Sequence, residues 1–302
     1  MLHVSAATEA ERDAACRLLV SFRPPTERDR TIGRYRELFT SGDLDPAGLF
    51  AARAYDGSIR GAMLASAMPG ALGLAWSPST LRGSDRQAVE DALVAAACGW
   101  LRAQGVKVCQ ALGGKGDRES FAPLQRAGFV NLTRLIEFRG ELNDEPFPTT
   151  SLTFERIENA NGAAFGSALL ATFTGSLDCP EVSGSRSDAE LIATYTESAQ
   201  LGTVWFLAKQ HDEAAGVVLL EPAGDPLAWE LSYLGIVPQF RRRGFGAELL
   251  AFARHSARKT GGSALKLSVD ARNLPARRLY ETRGFQAFGE RFVFLANWPP
   301  AS

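Results

Sequence analysis

From Leu231 to Leu250 the chain reads Leu-Ser-Tyr-Leu-Gly-Ile-Val-Pro-Gln-Phe-Arg-Arg-Arg-Gly-Phe-Gly-Ala-Glu-Leu-Leu. A β-rich run enters a short loop, and the loop enters a helical pattern whose first turn holds Gly244 and Gly246. Glycines there let backbone N–H groups crowd around an anion, and the start of a helix adds partial positive charge. Arg241, Arg242 and Arg243 surround the same point, so the stretch is suited to holding a phosphate. A nucleotide-triphosphate loop needs Gly-Lys-Ser/Thr, which is absent, and a dinucleotide loop needs a third small residue where Leu249 stands.

The elements that must carry this loop form an alternating series. In the second half, strands are expected at Leu152–Ile157, Thr203–Ala208, Ala215–Leu220, Trp229–Val237, Ala264–Val269 and Phe292–Leu295. Helices are expected at Asn159–Phe173, from the N-cap Ser187 to about Ala199, at Phe245–Lys259 and at Pro275–Arg283. The first half is a fainter copy, with strands near His3–Ala6, Leu49–Ala54, Gly61–Ala67, Leu72–Trp76, Val106–Ala111 and Leu135–Arg139. Its helices begin at Thr8, Ser84 and Ser120. Arg126-Ala127-Gly128-Phe129 matches Thr282-Arg283-Gly284-Phe285 at an offset of 156 residues, and Gly105 meets Gly261 at the same offset. Between the halves, Asn143 to Thr150 holds Pro146 and Pro148, which cannot continue a helix or a central strand. The reading is an α/β chain with a domain at 1–142, a linker at 143–150 and a second domain at 151–302, related by duplication.

Bulk properties narrow the function. Lys plus Arg is 33 and Asp plus Glu is 34, which argues against a general nucleic-acid or anionic-membrane binder. Three histidines and four cysteines lie far apart, so neither a transition-metal site nor a disulfide framework is expected. The apolar run Ala92–Leu101 is too short to span a bilayer, and Glu9, Glu11, Arg12 and Asp13 occupy the place of a signal-peptide core. A cytoplasmic chain without a membrane partner is the expectation.

The Arg-x-x-Gly-x-Gly loop follows a strand ending in Val-Pro. It is followed in turn by Asn-x-x-Ala-x-x-x-Tyr-x-x-x-Gly-Phe, carried by Asn273, Ala276, Tyr280, Gly284 and Phe285. Together these resemble the GCN5-related N-acetyltransferases, the GNAT superfamily, over residues ~151–298. The resemblance implies a mixed sheet in two tandem GNAT-like acyl-CoA N-acyltransferase domains, with acetyl-CoA as co-substrate and no metal. It implies that Ile236 and Val237, with Leu234 on the same strand, pair with the pantetheine arm. Arg241, Arg242, Arg243, Gly244, Phe245, Gly246 and Ala247 would receive the pyrophosphate. Asn273 would contact the pantetheine or the adjacent chain, with Ala276 beside it, and Tyr280 would lie near the thioester sulfur as the proton donor. Glu230, eleven residues before Arg241, resembles the glutamate base of the histone-acetyltransferase branch, with a water relay as the alternative. Strand alternation would put Glu230, Ser232 and Leu234 on one face.

The first half lacks the pattern. Pro78 to Ala88 has no Gly-x-Gly, Leu124 stands where Tyr280 would fall, and Gly113-Gly114-Lys115-Gly116 reads as a plain turn. The tandem layout is similar to that of the mycothiol synthases in architecture only. The resemblance further assigns the loop Thr174–Arg186 to the acceptor, where Asp178 and Glu181 would attract a cationic amine. The expected activity is N-acetylation of a small-molecule or peptide amine by a monomer or homodimer, with a non-catalytic acyl-CoA sensor as the competing reading. Nucleic-acid binding through Arg241–Arg243 is disfavoured by the absence of interleaved aromatics.

Overall fold

A computed structural model describes residues 2–114, 119–143, 147, 149–158, 162–197 and 202–298. The remaining linker residues, Lys115 and Gly116 of the glycine turn, and the expected helical ends at Asn159 and at Ser198–Ala199 lie outside the described residues. The chain forms two compact units. One comprises Met1–Leu132 with Phe292–Ser302, and the other comprises Thr133–Arg291.

Unit 1 contains β1 (His3–Ala6), α1 (Arg12–Leu19), α2 (Pro25–Ser41), β2 (Leu49–Arg53), β3 (Ile59–Met68), β4 (Leu72–Ala75) and β5 (Ser79–Thr80). It continues with α3 (Arg86–Ala103), β6 (Val108–Gly114) and α4 (Ala122–Arg126). Alternation along β2 sends Phe50 and Ala52 beneath α3, with Leu93, Val94 and Ala97. Leu49 and Ala51 face α1, with Ala15, Cys16 and Leu19. Cys16, Cys98 and Cys109 are buried free thiols, as expected of small apolar side chains.

Unit 2 contains most of β7 (Val130–Glu141), then β8 (Thr153–Ile157), α5 (Ala163–Phe173), α6 (Asp188–Thr196), β9 (Val204–Gln210), β10 (Glu213–Pro222) and β11 (Ala228–Ile236). It ends with α7 (Phe245–Lys259), β12 (Ala264–Asp270), α8 (Leu274–Thr282) and the start of β13 (Gln286–Asn297). Its strand order is β13-β7-β12-β11-β10-β9-β8. Leu249, Leu250, Ala253 and Ala257 of α7 cover one face, on Val218, Leu220, Leu231 and Leu265. Phe165, Ala168 and Leu169 of α5 cover the other, on Leu207, Val217 and Leu219. The α/β class and mixed sheet are as the sequence implies. Among the described residues no helix is long and apolar enough to cross a membrane.

The duplication is visible in the strand register. β4 and β6 pair in parallel from Leu72↔Val108 to Leu74↔Gln110. β11 and β12 pair in parallel from Ala228↔Ala264 to Glu230↔Lys266, which is 156 residues later on both strands. Gly128 and Gly284, at that same offset, both take the left-handed backbone (φ 93° and 81°) that ends a helix. Phe129 N–H then donates to Leu124 O at 3.0 Å, as Phe285 N–H does to Tyr280 O at 3.1 Å.

The closing strands do not follow a cut at the linker. β7 ends the first copy in sequence, yet it pairs antiparallel with β12 from Asp270↔Leu135 to Ala264↔Glu141. β13 ends the second copy, yet beyond Arg291 it belongs to unit 1, where it neighbours β6. Each unit is thus completed by a strand from the other half of the sequence, because the outer edges of β6 and β12 need a partner and each takes it from the opposite copy.

Candidate active site

Past Glu230 and Lys266, β11 and β12 continue to Ile236 and Asp270 without pairing, so the sheet opens into a splay. On its other edge β11 pairs Leu219↔Tyr233 but Leu220↔Leu231, which leaves Ser232 as an extra residue. That bulge bends the strand and reverses its alternation. Leu231 and Leu234 consequently both pack under α7, three residues apart. Glu230, next to Leu231, therefore lies on the face opposite Leu234, which corrects the expectation that the two share a face. Glu230 sits at the vertex of the splay, with Glu221 opposite it on β10 and Lys266 beside it on β12.

Val237 N–H donates to Ala215 O at 3.0 Å, toward β10. Alternation then turns the amides of Leu234 and Ile236 to the open side. Val237 is buried and its N–H is engaged, so of the three strand residues assigned to the pantetheine path only Leu234 and Ile236 face it.

The loop after β11 makes a cradle. Arg242 (φ 60°) and Gly244 (φ 88°) both take left-handed backbone. Among the described residues no hydrogen bond is donated by the N–H groups of residues 242 to 246, and the next one, from Ala247, goes to Gly244 O at 2.9 Å. Five unengaged donors at the start of a 15-residue helix suit an anion, and Arg242 and Arg243 are exposed beside them. The pyrophosphate of acetyl-CoA fits this donor set. Arg241 does not belong to it. Its Nε donates to Ile236 O (3.0 Å), Nη2 to Thr172 O (2.9 Å) and Nη1 to Gly175 O (3.1 Å), so it ties the loop to α5 instead of presenting charge to a phosphate. Phe245 is buried beneath the cradle, where it anchors the helix start.

Across the splay, Asn273 caps α8, its Oδ1 accepting Ala276 N–H at 3.3 Å. The two motif residues thus set the helix start together. One helical stretch later comes Tyr280, 7% exposed, its ring 6.1 Å from Phe138 and 5.9 Å from Phe285. Burial pushes its phenol well above the usual tyrosine range, and the charge of Asp178 adds to the effect. Tyr280 therefore stays protonated through neutral pH and beyond.

A network that the sequence did not announce pins the loop between α5 and α6 to this place. Asp270, fully buried at the end of β12, accepts hydrogen bonds from Thr133 Oγ1 (2.7 Å), Cys179 N–H (3.2 Å) and Arg272 Nη2 (2.7 Å). Burial alone would raise its carboxyl, but the bonds from Arg272, Thr133 and Cys179 prevail and hold it at about 2. Arg272 also reaches Glu181 at 2.7 and 3.0 Å. Asp178, Cys179 and Asp270 bring ligand-type atoms within 4.8 Å of one another, but Arg272 already supplies the positive charge there.

Unit 1 lacks the corresponding groups. Asp85 stands at the N-cap position of α3 with its carboxylate 3.3 Å from Arg60, so an acid stands at the helix start where an anion would sit. The Phe121 ring fills the space above Gly113, where a Cβ would come within 2.2 Å of it. Leu124, fully buried, replaces Tyr280. A cleft of about 410 Å³ remains, lined in part by Tyr35, Trp76 and Phe121.

Residues 170–285, which hold the cradle, the splay and Tyr280, match the Acetyltransferase (GNAT) family. The C-terminal unit contains a GNAT domain. The chain is 29% identical over 198 residues to the mycothiol acetyltransferase of Thermomonospora curvata, covering 61% of this chain and 62% of that protein, which is less than two thirds of its length. In fold it is similar to a GCN5-related N-acetyltransferase from Sphaerobacter thermophilus, with a TM-score of 0.61, 17% identity and coverage of 100% of this chain and 97% of that one. It is also similar to a tandem GNAT protein from the clavulanic acid biosynthesis pathway, with a TM-score of 0.58, 13% identity and full coverage of both chains. The GNAT domain thus lies in a chain whose fold neighbours include a tandem protein, and its named relatives are acetyltransferases.

Proposed function

We propose that the C-terminal unit transfers an acetyl group from acetyl-CoA to the primary amine of a small-molecule or peptide acceptor, by direct attack within a ternary complex, and that unit 1 is not catalytic. The observation that carries this reading is the set of unengaged N–H groups at residues 242 to 246, at the helix start that follows the splayed end of β11. Bound acetyl-CoA supplies the activated acetyl thioester. The cradle holds its pyrophosphate, and the outward amides of Leu234 and Ile236 align the pantetheine arm. Asn273 and Ala276 fix the start of α8 and so the position of Tyr280. The Tyr280 hydroxyl gives its proton to the departing sulfur, a role suited to a phenol that burial keeps protonated. A cytoplasmic location, without nucleic-acid or membrane partners, belongs to the same proposal.

Calorimetric titration of acetyl-CoA tests it. One site per chain is expected, and it is expected to be lost in Gly244→Val, because a side chain at φ 88° is strained and its β-branch crowds the donors. Two sites would give unit 1 a function denied to it here. An acetyl-CoA complex that releases no CoA across a broad amine panel would favour the non-catalytic sensor.

A further inference from the structure

We infer that the cleft of unit 1 is a binding site for a small aromatic carboxylate, in addition to the acetyl-CoA site proposed for unit 2.

The cleft forms where a strand leaves its neighbour. β4 pairs in parallel with β6 from Leu72↔Val108 to Leu74↔Gln110, whereas β5 pairs only with β3, at Ala62↔Ser79 and Gly61↔Thr80. From Ala75↔Ala65 to Ser79↔Ala62 the segment uses four residues against three, and Pro78 within that excess has no N–H for a neighbouring strand. Trp76, at the start of the excess, and Phe121 line the opening beside it. Its volume, about 410 Å³, falls toward the low end of the roughly 300–1,000 Å³ of small-molecule sites.

The walls are fixed in place. Phe121 stacks on Phe294 with ring centroids 4.5 Å apart, and Tyr35 packs on Phe39 at 6.5 Å. Arg28 holds the chain between α1 and α2, its Nη2 donating to Ser21 O (2.6 Å) and its Nε to Arg23 O (2.8 Å). Phe22 lies between those two carbonyls and is 68% exposed while lining the cleft. A large apolar ring held in water at the edge of a cavity is area that a bound apolar group would cover.

Charge selects the ligand. Among the described residues no Asp or Glu lines the cleft, whereas Arg23 and Arg86 do. Arg86 donates through Nε to Glu90 at 2.7 Å, but Glu90 is shared with Arg126 at 3.2 Å, and the Nη groups of Arg86 donate no hydrogen bond among the described residues. Arg23 stands 5.5 Å from the Phe22 ring and forms an exposed pair with Glu27 at 3.6 Å, a contact that neutralises little. The Tyr35 hydroxyl and the Trp76 indole N–H likewise have no hydrogen-bond partner among the described residues. Burial raises the Tyr35 phenol, so it remains a donor at neutral pH. Aromatic walls with unengaged donors and no carboxylate suit a flat ring that carries an anion. Asp85 at the start of α3 disfavours the alternative anion, a pyrophosphate held by that helix.

Calorimetric titration of sodium 3-phenylpropionate into the full chain at pH 7 tests the inference, with wild type, Arg23→Gln, Phe22→Ala and Gly244→Val. One site per chain is expected in wild type. Arg23→Gln and Phe22→Ala should each bind about tenfold more weakly, through loss of the charge and of the covered ring respectively. Gly244→Val, which alters only the cradle of unit 2, should stay within twofold of wild type. No binding by wild type, equal binding of the neutral 3-phenylpropan-1-ol, or a loss in Gly244→Val with none in Arg23→Gln would overturn the inference. Should a unit 1 variant fail to fold, the comparison of carboxylate with alcohol in wild type decides. Acetyl-CoA is titrated separately, so the acyl-transfer reading and this one stand or fall apart.

Discussion

Replacing Arg272 with Met should loosen unit 2 by an amount that can be worked out from the contacts of Asp270. The carboxylate is fully buried, and Arg272 meets it through Nε at 3.1 Å to each oxygen and through Nη2 at 2.7 Å. A carboxyl held at about 2 in the folded chain, against an ordinary 3.8, corresponds to about 2.4 kcal/mol at neutral pH. Removing one partner of a buried pair costs about 3–5 kcal/mol, because the remaining charge has lost its compensation. The half-exposed contact with Glu181 adds no more than about 1 kcal/mol. Thr133 and Cys179 still donate to Asp270 in the variant, so we expect the low end, about 3 kcal/mol. The sign with pH is fixed. The folded carboxyl titrates below the unfolded one, so the stabilisation is complete above about pH 5 and fades as pH falls from 3.8 toward 2. The gap between wild type and Arg272→Met should therefore be widest at neutral pH and shrink in acid. Amide hydrogen exchange on peptides from β10 to β12 isolates unit 2, and the measurement is made at pH 7 and pH 3. A loss under 1 kcal/mol at pH 7, or a gap that grows in acid, would refute the assignment of this network as the clamp on the loop between α5 and α6.

Other perturbations probe the site more directly. Tyr280→Phe should lower turnover about ten- to a hundredfold while the acetyl-CoA dissociation constant stays within twofold; a parallel loss of binding would make Tyr280 structural. Because burial raises its phenol, wild-type kcat/KM should show no fall attributable to Tyr280 as pH rises from 9 to 10.5. Arg241→Met removes three bonds to carbonyl oxygens and no phosphate contact, so acetyl-CoA should bind about tenfold more weakly with its salt dependence unchanged. A flattened salt dependence would return Arg241 to the cradle.

The parts legible in the sequence are those set by local pattern. The helix from Phe245 to Lys259 and the cap at Ser187 were readable because periodicity, glycine placement and capping chemistry act within a few residues. The 156-residue echo survived at glycines whose backbone conformation few other residues adopt. Longer-range features were not readable. The bulge at Ser232 has no composition of its own and appears only where β10 and β11 fall out of step, so simple alternation misplaced Glu230 against Leu234. The clamp joins Asp270 and Arg272 to Cys179 and Glu181 some ninety residues away, a pairing that no spacing rule anticipates. Arg241 looked like a phosphate ligand because its type and position fit, and only the carbonyls around it reveal otherwise.

The crossing of the closing strands bears on heredity. Each half of the coding sequence specifies a sheet whose final strand is encoded in the other half. A truncation at the linker would therefore not release a complete unit 2. It would leave one polypeptide without Phe292–Asn297 and another without Thr133–Glu141, each with an unfilled strand position. Selection acting on unit 2 alone would thus preserve the first half at β7, its last strand, while leaving the helix starts and loops of unit 1 free to change.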